Sequence, residues 1–105
     1  MSGIRYSPAA LRDMQAVWDG VYEASRSISI ADRYVQELMD AIAAKETFPF
    51  SGAPLMYRGL STGFYTVGFK AYRAFYRVRD GRIEVARIIM ARRDFMRVLF
   101  GEPEG

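Results

Sequence analysis

The chain contains no cysteine and no histidine among its 105 residues. The first absence excludes disulfides, thiolate zinc sites and cysteine nucleophiles. The second removes the commonest general base and the commonest metal ligand, so any chemistry must come from Arg, Lys, Tyr, Glu, Asp or the backbone. Lysine is scarce as well. Only Lys45 and Lys70 occur, so the basic residues are almost all arginine, whose rigid fork of donors suits phosphates and carboxylates. No apolar run approaches the ~20 residues of a membrane span, and the N-terminus has no signal-like apolar core. The reading is therefore a cytoplasmic protein with no membrane partner. Nor is there an internal repeat, a low-complexity tract, a domain boundary or a cofactor- or metal-binding pattern.

What is present suits one domain over residues 1–105. Half of the residues are hydrophobic and the net charge is +3, too small an excess for a dedicated DNA-coating protein. A chain of this size can bury roughly two thirds of its unfolded surface, enough for one core. "GIRYS" (3–7) reads as a short strand. Ser7 is placed to cap the next element, with Pro8 in its first turn. Leu11, Met14, Val17, Trp18, Val21 and Tyr22 then recur at spacings of three and four, which predicts an amphipathic helix. Gly20 weakens that helix by about 1 kcal/mol relative to alanine and suggests close packing against a neighbour. Ser29, with Asp32 three residues on, reads as the capping box of a second helix whose stripe is Val35, Leu38, Met39 and Ile42.

The stretch 48–63, dense in Pro and Gly, reads as a loop. Strands follow over 64–70, 72–79 and 82–91, the last two joined by Asp80-Gly81, a strong type I′ hairpin signal. A last segment, 93–100, suits a helical turn. The expected fold class is α+β, in the order βααβββ: a small, mainly antiparallel twisted sheet with a helical hairpin on one face.

The hairpin turn predicts a register. Arg79 falls opposite Arg82 and Arg77 opposite Glu84, continuing to Phe75 opposite Ala86 and Arg73 opposite Ile88. By alternation, Tyr72, Ala74, Tyr76, Val78, Ile83, Val85, Arg87 and Ile89 face the helices. Arg73, Phe75, Arg77, Arg79, Arg82, Glu84, Ala86, Ile88 and Met90 face outward. An outer face of cations mixed with apolar groups suits solvent, and it also suits phosphates and stacked bases. Arg87, an unpaired charge on the covered face, calls for a carboxylate such as Asp19 or Glu23, or for a bulge that shifts the register.

"YSPAALRDMQAVWDGVYE", "ADRYVQELMDAIAAKETFP", "YRAFYRVRDGRIEV" and the terminal "RIIMARRD" resemble the RelE/ParE superfamily of bacterial type II toxins, over roughly residues 4 to 99. The resemblance implies a toxin neutralised by a cognate antitoxin in a hetero-oligomer, with operator DNA met only through the antitoxin. It further implies one of two targets, DNA gyrase or mRNA on the ribosome. RelE-like members cleave mRNA in the ribosomal A site without a metal, whereas ParE-like members poison gyrase. By resemblance, Arg73 and Arg92 or Arg93 fall on phosphate-contacting arginines of the ribonucleases. Yet Thr66 and Gly68 replace their two lysines, Met90 replaces a histidine, and Leu99 a terminal tyrosine. Tyr65, Lys70 and Glu84 remain as weak candidates for proton transfer. The resemblance thus favours gyrase poisoning, with ribosome-dependent mRNA cleavage as the alternative and a degenerate, non-toxic antitoxin-binding module as a third.

Overall fold

The computed structural model describes residues 3–91 and 95–101. Its elements run β1 (Arg5–Tyr6), α1 (Pro8–Ser25), α2 (Ile28–Ala43), β2 (Ala53–Tyr57), β3 (Leu60–Phe69), β4 (Tyr72–Arg79), β5 (Arg82–Met90) and α3 (Phe95–Phe100). The strands form one sheet in the order β1-β5-β4-β3-β2, antiparallel except for the β1–β5 pair. This is the α+β arrangement that the sequence predicts, with one more strand. The stretch 48–63 is not a loop. Pro49–Ser51 form a 3₁₀ turn, β2 follows, and Arg58-Gly59, both at positive φ, turn the chain into β3. Pro54 is tolerated because β2 ends the sheet, where one row of N–H groups needs no partner.

Ser7 caps α1 as predicted: its hydroxyl accepts from the Ala10 N–H. For α2 the cap is Ser27, which accepts from Ile30 N, and not Ser29, which lies inside the first turn. Asp32 is consequently no capping-box partner. It accepts a 2.8 Å hydrogen bond from the Trp18 indole and so ties the two helices together. Arg26 makes the sharp reversal between them in the left-handed region, at φ 55°.

The core lies between the helical hairpin and one sheet face. Ala10, Val17, Leu38 and Ile42 from the helices meet Ala74, Tyr76, Ile83, Val85 and Ile88 from the sheet. Leu11, the first residue of the predicted α1 stripe, is instead 58% exposed. Gly20 does not serve close packing either, since a Cβ there would meet only the Tyr72 hydroxyl, at an ordinary 3.9 Å. Gly20→Ala is therefore expected to raise stability by up to about 1 kcal/mol through helix propensity. Chemical denaturation would read this as a higher midpoint at unchanged slope.

The β4–β5 register holds from Arg79↔Arg82 to Tyr76↔Val85, and Asp80 and Gly81 take the two positive φ values of the predicted turn. It then slips by one residue. Phe75 pairs with Arg87, Ala74 with Ile88, Arg73 with Ile89 and Tyr72 with Met90, leaving a bulge at Ala86. Beyond the bulge the predicted faces exchange: Ile88 joins the core and Ile89 lies beside Arg73 and Phe75 on the second face.

Candidate functional site

Alternate residues of β4 carry Arg73, Phe75, Arg77 and Arg79 along the second face of the sheet. The face is not bare. Phe75 is fully buried, and its neighbours Thr66 and Ile89 are 6% and 3% exposed. The predicted stacking surface is thus corrected, because Phe75 offers no accessible ring, while Ile88 and Met90 lie in register with the helix-facing residues Ala74 and Tyr72. Arg73 sits at the margin of this patch, opposite Gly68 on one side and Ile89 on the other. Neither neighbour offers an acceptor from its side chain. The Arg73 Nε is buried and has no hydrogen-bond partner among the described residues. A buried N–H on a permanent cation is costly to leave unmet, so Arg73 is suited to receive an anion.

The other candidates do not converge on it. Glu84 accepts 2.8 Å from the Arg77 Nε, with Arg79 at 3.9 Å. The Arg77 hydrogen bond holds its pKa below the ordinary carboxylate value, with Arg79 and Arg5 contributing. A carboxylate so held stays ionised and is a poor proton carrier near neutral pH. It is also remote, since Arg77 and Arg73 are four residues apart on one strand, about 13 Å. Tyr65 lies on the opposite, helix-facing side, stacked on Tyr76 and edge-on to Phe50. Lys70 lies in the β3–β4 turn. It pairs with Glu37 of α2 at 3.7 Å and lies over the Tyr34 ring. Arg92 and Arg93 lie outside the described residues. Of the candidates that are described, Arg73 alone combines a buried, unmet donor with a place on the second face.

Sequence reasoning missed the residue that satisfies Arg87. It is Asp13, not Asp19 or Glu23. Its carboxylate accepts from Arg87 Nε at 2.7 Å, from Arg87 Nη2 at 2.9 Å and from the backbone N–H of Ile88 at 2.9 Å. The pair raises the Arg87 pKa, chiefly through this hydrogen bond. Asp13 lies three residues after Ala10 and four before Val17, the two buried positions of α1. Helical spacing therefore places it on the face turned to the sheet, and that was the available signal.

A groove of about 480 Å³ runs between the helices, lined by Leu11, Met14, Gln15, Trp18 and Val35. Among the described residues no three His, Cys, Asp or Glu side chains cluster in a way that could hold a metal ion. None of the described helices is long and apolar enough to cross a membrane.

The family described as the ParE toxin of the type II toxin–antitoxin system parDE matches residues 4–95. No curated protein matches. Among solved structures, the chain resembles one from the chromosomal ParDE system of P. aeruginosa, at 21% identity and a TM-score of 0.69, covering 86% of this chain and 96% of that one. The RelBE2 toxin–antitoxin complex from Mycobacterium tuberculosis gives 19% identity and 0.54, over 83% and 94%. The isolated E. coli RelE toxin gives 16% identity and 0.52, over 91% and 90%.

Proposed function

From the premise that the chain belongs to the ParE toxin family of type II toxin–antitoxin systems, we propose that it arrests growth by poisoning DNA gyrase, acting by binding and not by cleaving RNA. The observation that carries this reading is the setting of Arg73. A cation poised for an anion stands among Gly68, Thr66, Phe75 and Ile89, with none of Tyr65, Lys70 or Glu84 beside it. RNA cleavage by 2′-hydroxyl attack needs a group to take a proton and another to return one. The described part of this face supplies only electrostatic grip.

Induced expression without an antitoxin is expected to accumulate cleaved DNA–gyrase complexes while transcripts stay intact. Arg73→Ala should weaken that toxicity on the order of tenfold, as expected for losing one charge-assisted contact. Arg33→Ala, on the exposed side of α2, should leave it unchanged. Transcripts cut at codon boundaries in translating ribosomes, with gyrase unaffected, would establish the mRNA-endonuclease reading instead. The unmet Nε of Arg73 is the feature that favours that second reading, because a developing phosphorane charge would satisfy it.

The neutralising partner in this proposal is a cognate antitoxin. Its helical segment would lie in the α1–α2 groove, where Leu11 is exposed beside Met14, Trp18 and Val35, as amphipathic helices do in apolar grooves.

A further inference from the structure

The turn end of the β4–β5 hairpin meets β1 at a corner that the functions above do not use. Arg5, Arg79, Asp80, Arg82, Ile83 and Glu84 line a cavity of about 280 Å³ there. Arg79 and Arg82 are directly opposite in register, and like charges so placed repel. The tight Asp80-Gly81 turn keeps them from moving apart. Arg5 stands across from Glu84 on the other side, in the parallel pair. Glu84 is already engaged by Arg77 at 2.8 Å, with Arg79 at 3.9 Å. Neither Arg5 nor Arg82 forms an ion pair among the described residues. Counting Arg77 with the three lining arginines, against Glu84 and Asp80, the corner keeps a charge of +2.

We propose that this corner is a nucleic-acid backbone site that takes two successive phosphodiesters of one strand. Two phosphodiesters match the residual charge, and guanidinium forks match their oxygens. The lining is mostly charged and holds no aromatic ring on which a base could stack, so the contact is sequence-independent and positions the strand without reading it. The inference does not depend on whether gyrase or mRNA is the target of the toxin.

The test measures binding of the full chain to a short duplex DNA, and separately to single-stranded RNA, by fluorescence anisotropy across a salt series with no other protein present. Each DNA phosphate neutralised contributes about 0.9 to the log–log salt slope. The double substitution Arg5→Ala/Arg82→Ala is therefore expected to lower the slope for DNA by about 1.8, while Arg33→Ala lowers it much less. Loss of slope for RNA but not for DNA would identify RNA as the source of the phosphates. A slope unchanged for both nucleic acids in the double variant would overturn the proposal, as would an equal loss in Arg33→Ala. Competition by a polyglutamate peptide of equal charge that exceeds competition by either nucleic acid would overturn it too. Arg5→Lys/Arg82→Lys, which keeps the charge and loses the forks, should retain the slope with weaker binding, and thermal unfolding checks that each variant is folded. Because gyrase is absent, a negative result leaves the gyrase reading intact, and failure of that reading leaves this one intact.

Discussion

Gly52→Ala is expected to destabilise the protein by about 2–4 kcal/mol, a drop of roughly 10 °C or more in Tm for a domain of this size. The backbone at Gly52 is ordinary extended chain, so conformational strain is not the cause. The cause is space. A Cβ would lie 2.3 Å from the Tyr76 hydroxyl and 3.0 Å from both the Tyr76 ring and the Thr66 carbonyl oxygen. Tyr76 cannot swing aside, because it is fully buried and stacked on Tyr65. Its hydroxyl also accepts from the Gly52 N–H at 3.1 Å and donates to the Pro49 carbonyl at 2.7 Å. That one phenol therefore pins the segment between α2 and β2 to the sheet. Tyr76→Phe alone should cost about 1–2 kcal/mol, since a buried N–H and a half-buried carbonyl lose their partner. In the Gly52→Ala background it should cost less, because removing the oxygen relieves the worst contact. Urea unfolding of the four members of this cycle gives the coupling. Additive losses would mean that the clash lies elsewhere.

The second large effect is expected at Asp13. Asp13→Ala removes three hydrogen bonds at once and leaves the Arg87 guanidinium, 30% exposed, without its counterion. A loss of about 2–3 kcal/mol follows, reduced from the fully buried case by solvent reaching Arg87. Asp13→Asn keeps the shape and one acceptor, so it should lose less. The distinguishing measurement is amide exchange in β4 and β5. Faster exchange at Ile88, with Tyr76 and Val85 still protected, is the expected pattern. Uniform loss of protection would show that Asp13 serves the whole fold and not this edge.

How far the sequence could be read is clearest in β5. Asp80-Gly81 fixes the turn, and from it the pairing is right as far as Tyr76 opposite Val85. It goes wrong at Ala86, because alternation carries no signal there. Ala86 is small enough for either face, and Ile88, Ile89 and Met90 are apolar at both parities, so a one-residue slip breaks no pattern. The missing strand β2 has a similar cause. Pro54 and the flanking glycines read as breakers, and only an edge position, a property of the finished sheet, makes them compatible with a strand. The place of Arg73 on the second face was legible because β4 alternates without interruption, although its partner is Ile89 and not Ile88. Tyr65, Lys70 and Glu84 were plausible by residue type, but the pleat, the β3–β4 turn and the Arg77 hydrogen bond send them to three different places. Asp13 was missed because the predicted stripe of α1 began at the exposed Leu11 and left out Ala10, the buried residue whose spacing points to it.

The two sides of the sheet differ in a way that bears on how the protein assembles. Past the short β1, the outer side of β5 is held by the chain itself: the Ser7 hydroxyl donates to the Ala86 carbonyl, and Asp13 accepts from the Ile88 N–H. At the other side, among the described residues, β2 has no strand beyond it. A polymer built by strand addition needs two free sides on every subunit, one to receive and one to donate. This chain offers one. A second copy that joins edge to edge through its own β2 leaves no open side on the pair, so such an array ends at two. The same aspartate that neutralises Arg87 thus helps to close one side of the sheet to further growth.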